Sequence, residues 1–185
     1  MAAPDAVRWG YHRLHRQAAA RLVASAGVGP GRLVLDVGAG EGVITAALLA
    51  RGSRVVAFEL HPGRAAALRR RFAGQPVVVV RADARDLWLP RRPFGVVANP
   101  PFAALSALLR RLLAPGSRLE HASLVVPAHV ARRWSSGSVP GAVRWRAQYR
   151  VGVGASLPRS AFSPRAVHDV AVLEIRRRGL QDPRR

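Results

Sequence analysis

Short apolar runs alternate with longer amphipathic ones along most of the chain. Leu33-Val34-Leu35 predicts a buried strand over 32–37, and Val43–Ala50 predicts a helix over 42–51. Arg54-Val55-Val56-Ala57-Phe58-Glu59 predicts a second strand. Pro62 suits the first turn of the next helix, which runs through Leu68 to Phe72. Residues 76–81 carry four consecutive valines and predict a third strand, buried on both faces as in a parallel sheet. Phe94–Ala98 predicts a fourth strand, Ala103–Leu113 a helix, His121–Val126 a fifth strand and Ala128–Trp134 a short helix. Alternation on this scale predicts a doubly wound α/β sheet.

The two ends differ. Trp9–Ser25 reads as an amphipathic helix, with Leu14, Ala18 and Leu22 on one face and Arg13, Arg16 and Arg21 elsewhere. The Gly27–Gly31 stretch ends it. A basic, acid-poor start also suits a transit peptide. A structural helix covering the first strand's site is the preferred reading. Ser135–Gly141 reads as a linker. Arg144–Ser156 and Val167–Arg176 predict two long strands with no helix between them, paired as an antiparallel hairpin at one sheet edge. The domain is placed at 1–178, with its N-terminal helix at 9–26 and a basic, frayed tail at 179–185.

Between the first strand and its helix lies Asp36-Val37-Gly38-Ala39-Gly40-Glu41-Gly42. Glycines let the backbone turn sharply and let a ligand approach closely. The helix start offers free N–H groups. A dinucleotide fold needs G-x-G-x-x-G. Gly38 and Gly40 fit that spacing, but Val43 stands where the third glycine belongs. Asp36 and Glu41 would also repel a phosphate. The G-x-G-x-G spacing, with an acid two positions ahead, resembles motif I of S-adenosylmethionine-dependent methyltransferases. Their ligand carries an amino acid and a sulfonium instead of a pyrophosphate. A ligand-free glycine turn is the plain alternative.

Composition sharpens this. At 185 residues and 49% hydrophobic, the chain is one globular domain. No run of 18 apolar residues proposes a transmembrane helix. The absence of cysteine removes disulfides and thiolate chemistry. His12 and His15 are the only close histidine pair, and no metal site is expected. Net charge is +20, and all thirty basic residues are arginine. Without lysine, a Walker A loop, a Schiff-base enzyme and a pyridoxal site are excluded. A GC-rich genome explains arginine in place of lysine. It does not explain thirty bases against ten acids. That excess favours a polyanion partner, since arginine forks onto phosphates and stacks on bases.

Four of the ten acids, Asp36, Glu41, Glu59 and Asp83, fall at or just after strand ends in the first half, which suggests a cofactor pocket. Glu59 closes strand two, about 20 residues beyond the glycine turn, where an acid can accept from both ribose hydroxyls. Asp83-Ala84 follows strand three, where an acid can accept from an exocyclic adenine amine. Surface acids capping helices are the alternative for both. Strand four ends in Asn99-Pro100-Pro101-Phe102. This resembles motif IV of the amino-methyltransferases, which act on an exocyclic base amine or a glutamine amide. An aryl amine is a poor nucleophile because its lone pair is delocalised. The Asn99 side-chain oxygen and the Pro100 carbonyl can hold its two N–H groups and turn the lone pair toward the methyl donor. The prolines stiffen the loop, and Phe102 can stack on the flipped base. A proline-rich turn with a buried aromatic is the plain alternative.

With these motifs in place, the chain resembles the rRNA adenine-N6 methyltransferases, the erythromycin-resistance (Erm) enzymes and the related rRNA adenine dimethylases. The resemblance spans about Trp9 to Arg178. Trp9-Gly10-Tyr11-His12-Arg13-Leu14 lies where the family has an F-G-Q-N-F-L-like segment. Phe162-Ser163-Pro164-Arg165-Ala166-Val167-His168-Asp169-Val170 resembles the family's F-x-P-x-P-x-V-D-S element before the last strand. The resemblance implies a mostly parallel, seven-stranded Rossmann-like sheet with an antiparallel C-terminal hairpin. It implies S-adenosyl-L-methionine as cofactor, held by His12 and Leu14, by Asp36 and Gly38-Ala39-Gly40-Glu41-Gly42, and by Glu59, Leu60, Asp83, Ala84 and Asn99. Asn99, Pro100 and Phe102 carry catalysis. The implied target is an adenine in rRNA, in the large subunit at the macrolide site, with antibiotic resistance as the outcome. A cytoplasmic monomer is expected.

This sequence departs from the family at three points. Tyr11 and His12 replace Gln and Asn, Pro101 gives N-P-P-F as in DNA amino-methyltransferases, and the chain stops just after the last strand without a helical RNA-binding domain. The arginines of the catalytic domain, or an additional RNA-anchoring partner, are then expected to hold RNA. A DNA adenine or protein-glutamine methyltransferase, or a non-catalytic RNA-binding protein on the same scaffold, are the competing readings.

Overall fold

The computed structural model describes residues 12–179. Seven strands form one sheet: β2 (Leu33–Val37), β3 (Arg54–Phe58), β4 (Val77–Val80), β5 (Phe94–Ala98), β6 (Leu119–Pro127), β7 (Tyr149–Leu157) and β9 (Val170–Arg177). Their spatial order is β4-β3-β2-β5-β6-β9-β7. The first five pair in parallel, and β9 runs antiparallel to both β6 and β7. The predicted hairpin is therefore present, with β9 inside and β7 at the edge.

Alternation along the central strands sorts the core into two layers. Leu35 and Val37 of β2, Val96 and Ala98 of β5, and Leu124 and Val126 of β6 point to one face. There they meet α4 (Leu105–Leu112) and α5 (Ala128–Ser136). Val34, Val97 and Val125 point to the other face. There they meet α1 (Arg16–Ser25), α2 (Val43–Ala50) and α3 (Pro62–Arg71). A sheet covered on both faces is what near-continuous apolar strands require. Pro62 opens α3 as expected, and the His61 ring accepts the Arg64 N–H at the helix start.

Three expectations are corrected. The helix expected from Trp9 begins at Arg16. Arg13–Leu14 forms instead a short strand, β1, paired antiparallel with β8 (Phe162–Ser163). Leu14 and Phe162 are both buried, so two apolar anchors fix this ladder. Trp9–Tyr11 lie outside the described residues. The four-valine strand β4 is not buried on both faces, since it is the outermost strand and Val78 is 60% exposed. Arg69 donates to the Val79 carbonyl, which gives this edge one of its missing partners. Finally, residues 144–146, expected to start a strand, form α6 (Ala142–Arg146) together with the two residues before them. Its Trp145 stacks on Trp134 of α5, with ring centroids 6.1 Å apart, and the apolar gain of burying two indoles outweighs the alternating pattern.

Gly95 sits inside β5, opposite His121 of β6. A Cβ at position 95 would fall on the imidazole of His121. Gly95→Ala should cost about 1–3 kcal/mol, read as a lower urea midpoint. Combined with His121→Ala, the loss should be smaller than the sum of the two single variants.

Candidate active site

The chain runs outward from β2 to β3 and β4, then crosses back to β5 and β6 on the other side of β2. Ligands of open α/β sheets bind at such a reversal, outside the strand carboxyl ends. A cavity of about 470 Å³ lies there, lined by His12, Gly38, residues 58–60, Arg64, residues 82–85 and residues 99–104.

The glycine turn borders it through Gly38. Gly38, Gly40 and Gly42 all take positive φ, at 77°, 58° and 79°. The N–H groups of Gly38 and Ala39 donate to the Phe58 carbonyl at 2.8 and 2.9 Å, tying the turn to the end of β3. A Cβ on Gly38 would stand 2.9 Å from Pro101 Cδ, so the turn and the Asn99–Phe102 loop touch through a position only glycine can fill. A Cβ on Gly42 would meet Leu68 and Phe72 at 2.7 Å, because α3 packs down on the turn.

Glu59 is 4% exposed and heavily held. Its Oε2 accepts the Gly40 N–H at 2.8 Å. Its Oε1 accepts the His61 N–H at 2.8 Å and the Arg64 guanidinium at 3.2 Å. Asp83 is held by Arg85 through both main chain and side chain, at 2.6–3.1 Å. The hydrogen bonds from Arg85 hold the Asp83 carboxyl below its usual range. Phe58, Arg64, Ala82, Arg85, Ala103 and Ala104 line the cavity and are not among the residues singled out from sequence. For the two arginines a signal exists: Arg64 lies five residues past Glu59 on α3, and Arg85 lies two past Asp83.

On the opposite wall, the Asn99 side-chain N–H donates to the His12 carbonyl at 2.7 Å. A carbonyl can only accept, so this contact fixes which end of the amide is nitrogen. Asn99 Oδ1 makes no hydrogen bond among the described residues. Phe102 begins a 3₁₀ turn into α4, with the Ala104 N–H closing on the Pro101 carbonyl.

Of the residues singled out from sequence, His12, Gly38, Glu59, Leu60, Asp83, Ala84, Asn99, Pro100 and Phe102 meet at the cavity. Leu14, Asp36, Ala39, Gly40, Glu41 and Gly42 do not line it. Leu14 packs in the core. The Glu41 carboxylate is exposed and pairs with Arg13 at 3.0 Å. Asp36 is fully buried, and the Thr45 hydroxyl donates to its Oδ2 at 2.6 Å. Its Oδ1 has no hydrogen-bond partner among the described residues. Asp36 thus braces the end of β2 against the start of α2. No group of three or more metal-ligating side chains occurs among the described residues, and no helix there is long and apolar enough to cross a membrane.

This sheet order, with its cavity at the reversal, defines a Rossmann-like methyltransferase fold. The solved 23S rRNA methyltransferase ErmE superposes with a TM-score of 0.81 at 28% identity, covering 93% of this chain and 72% of that one. A family model described as Ribosomal RNA adenine dimethylase matches residues 14–183, and the chain belongs to that family. Among relatives, the mycinamicin-resistance protein MyrB of Micromonospora griseorubida is 37% identical over 150 residues, covering 78% of this chain and 47% of that protein. The ribosomal RNA small subunit methyltransferase A of a Synechococcus species is 33% identical over 160 residues, covering 81% and 57%. The chain therefore spans less than two thirds of the length of these curated relatives.

Burial pushes the Asp36 carboxyl from its ordinary value of 3.8 up to about 7; the Thr45 hydrogen bonds oppose this and the nearby Glu59 charge adds to it. Between these values the folded protein holds a proton that the unfolded chain has released. Stability should therefore fall as pH rises from about 4 to about 7, and this contribution should be flat above that. Over the whole window it is worth about 4 kcal/mol. Asp36→Asn should remove this slope, seen by comparing urea unfolding of the two proteins at pH 5 and pH 8. An unchanged slope would mean that Asp36 is not the titrating group.

Proposed function

We propose that the chain transfers a methyl group from S-adenosylmethionine to N6 of an adenine in rRNA. The observation that carries this reading is the Asn99–Pro100 pair at the cavity wall. There the Asn99 amide nitrogen is committed to the His12 carbonyl and its oxygen is left for a donor. The cavity residues fit the cofactor. A volume of about 470 Å³ lies within the range usual for small-molecule sites. Glu59 and Asp83 suit hydroxyl and amine donors and would repel a phosphate. Glu59 Oε2 accepts a single protein hydrogen bond and keeps a lone pair for a ribose hydroxyl.

S-adenosylmethionine, when bound there, would supply a sulfonium methyl, and its carbon–sulfur bond would break with the electron pair going to sulfur. Asn99 Oδ1 and the Pro100 carbonyl accept the two amine N–H groups and favour a pyramidal nitrogen. The lone pair so exposed forms the new nitrogen–carbon bond, and the surplus proton then leaves to solvent. Phe102 offers a stacking face for the adenine ring. The net charge of +20 supplies affinity for the RNA backbone. Large-subunit rRNA, with macrolide-type resistance as consequence, is the preferred target. The likeness to ErmE and to the mycinamicin-resistance protein supports it. Small-subunit rRNA is the second reading, supported by the Synechococcus relative.

Incubation with labelled cofactor and deproteinised rRNA should yield N6-methyladenosine, and mapping the modified position decides between the subunits. Label confined to DNA or protein would refute the proposal. Asn99→Ala should lower turnover by on the order of 10²–10³, as loss of a preorganised hydrogen-bonding group does, with cofactor affinity nearly intact. Asn99→Asp should fare no better, since a carboxylate would face the His12 carbonyl. RNA affinity should drop steeply between 50 and 200 mM salt, roughly as the number of phosphates neutralised dictates.

A further inference from the structure

His12 stands where two different contacts converge on the acceptor side of the cavity. Its main-chain carbonyl takes the Asn99 side-chain N–H at 2.7 Å. Its imidazole stacks on Phe102, with centroids 6.1 Å apart and planes 27° from parallel. Its ring Nδ1 lies 3.4 Å from the Pro164 carbonyl, on the segment after β8. The residue lines the same cavity as Asn99, Pro100 and Phe102. None of these contacts involves Glu59 or Asp83, the carboxylates on the opposite wall.

We infer that His12 is a positioning residue for the acceptor adenine. This rests on the proposed adenine-N6 transfer and assigns a further part of that site. The carbonyl of residue 12 selects one of the two amide orientations of Asn99, the one that presents Oδ1 to the amine. The reversed amide would set two acceptors face to face and turn an N–H₂ toward an amine that needs an acceptor. The imidazole backs Phe102 on one side, restricting its ring to the plane that a target base can stack on. One residue thereby fixes both the hydrogen-bond acceptor and the stacking face. The Pro164 carbonyl braces the imidazole from the C-terminal part of the chain.

The carbonyl is insensitive to substitution, so the ring is tested by mutation. His12→Ala should reduce kcat roughly three- to tenfold, the rate equivalent of one aromatic pair, with cofactor affinity and unfolding midpoint unchanged. His12→Phe should restore turnover because a planar ring is what is needed. His12→Asn should not. Wild-type turnover in His12→Ala, or rescue by Asn in place of Phe, would overturn the assignment. So would a loss of cofactor affinity as large as the loss of turnover.

Asn99 is the only asparagine in the chain, so ¹⁵N-asparagine labelling yields a single side-chain amide pair. One of its protons should exchange slowly with solvent, and fast exchange of both would remove the orienting role of the His12 carbonyl. This measurement needs no RNA. If the wild-type protein methylates no RNA, the proposed function fails, and the amide signal still decides whether His12 orients Asn99.

Discussion

The close approach of Gly38 to Pro101 is the constraint on which the site depends. The two loops leave β2 and β5, adjacent parallel strands on either side of the chain reversal. One of these loops gives the cavity Gly38 and the other gives it residues 99–102. Any methyl transfer needs donor and acceptor within van der Waals reach, in line with the breaking bond. For the proposed transfer that distance is set by the Gly38 backbone packed against the Pro101 ring, with no Cβ between them. The positive φ of Gly38 and its missing Cβ serve the same end, since the turn must both reverse and let Pro101 approach.

Electrostatics sets a second condition. A chain carrying thirty arginines and ten acids pulls its few carboxylates into ion pairs. Glu41 pairs with Arg13, Glu59 with Arg64 and Asp83 with Arg85. The exposed pairs contribute little, because solvent screens them. The Glu59 pair is different. Its carboxylate is buried, and two main-chain N–H groups share it with Arg64. A buried carboxylate with several donors is fixed in place. Asp36, a few residues from this network, is raised by burial, and the Thr45 hydrogen bonds only partly offset that. Two acids in one motif region thus take different places, one lining the cavity and one a buried brace.

How much of this was legible in the sequence follows from range. The alternation of strands and helices, Pro62 at a helix start and the acids at strand ends depend on residues within a few positions of one another, and they emerge as read. The Asn99-Pro100-Pro101-Phe102 segment reads as a candidate site from its residue types, and the structure brings it to the cavity. The valines of β4 misled because a β-branched run says strand without saying where in the sheet the strand lies, and only the neighbours decide that. Trp145 was read into a strand because its partner, Trp134, is separated by a linker that local pattern cannot bridge. The N-terminal helix was drawn too long for the same reason. Leu14 fits an apolar helix face equally well, but its partner is Phe162, at the far end of the chain.

That last pairing separates the two halves of the site in stability. The glycine turn and the carboxylate wall rest on strands of four and five residues, paired on a sheet covered from both faces. The acceptor wall rests on Asn99 at the end of β5, but its orientation is fixed by His12, one residue ahead of a two-residue ladder. A ladder that short has few hydrogen bonds of its own and is held by the burial of Leu14 and Phe162. Elements with so few contacts open at a lower free energy than a central sheet. Loss of this ladder would leave the glycine turn intact while freeing the amide of Asn99 to turn. For the proposed transfer, the fold would then separate holding a donor from presenting an acceptor, with the second governed by contacts between segments far apart in the chain.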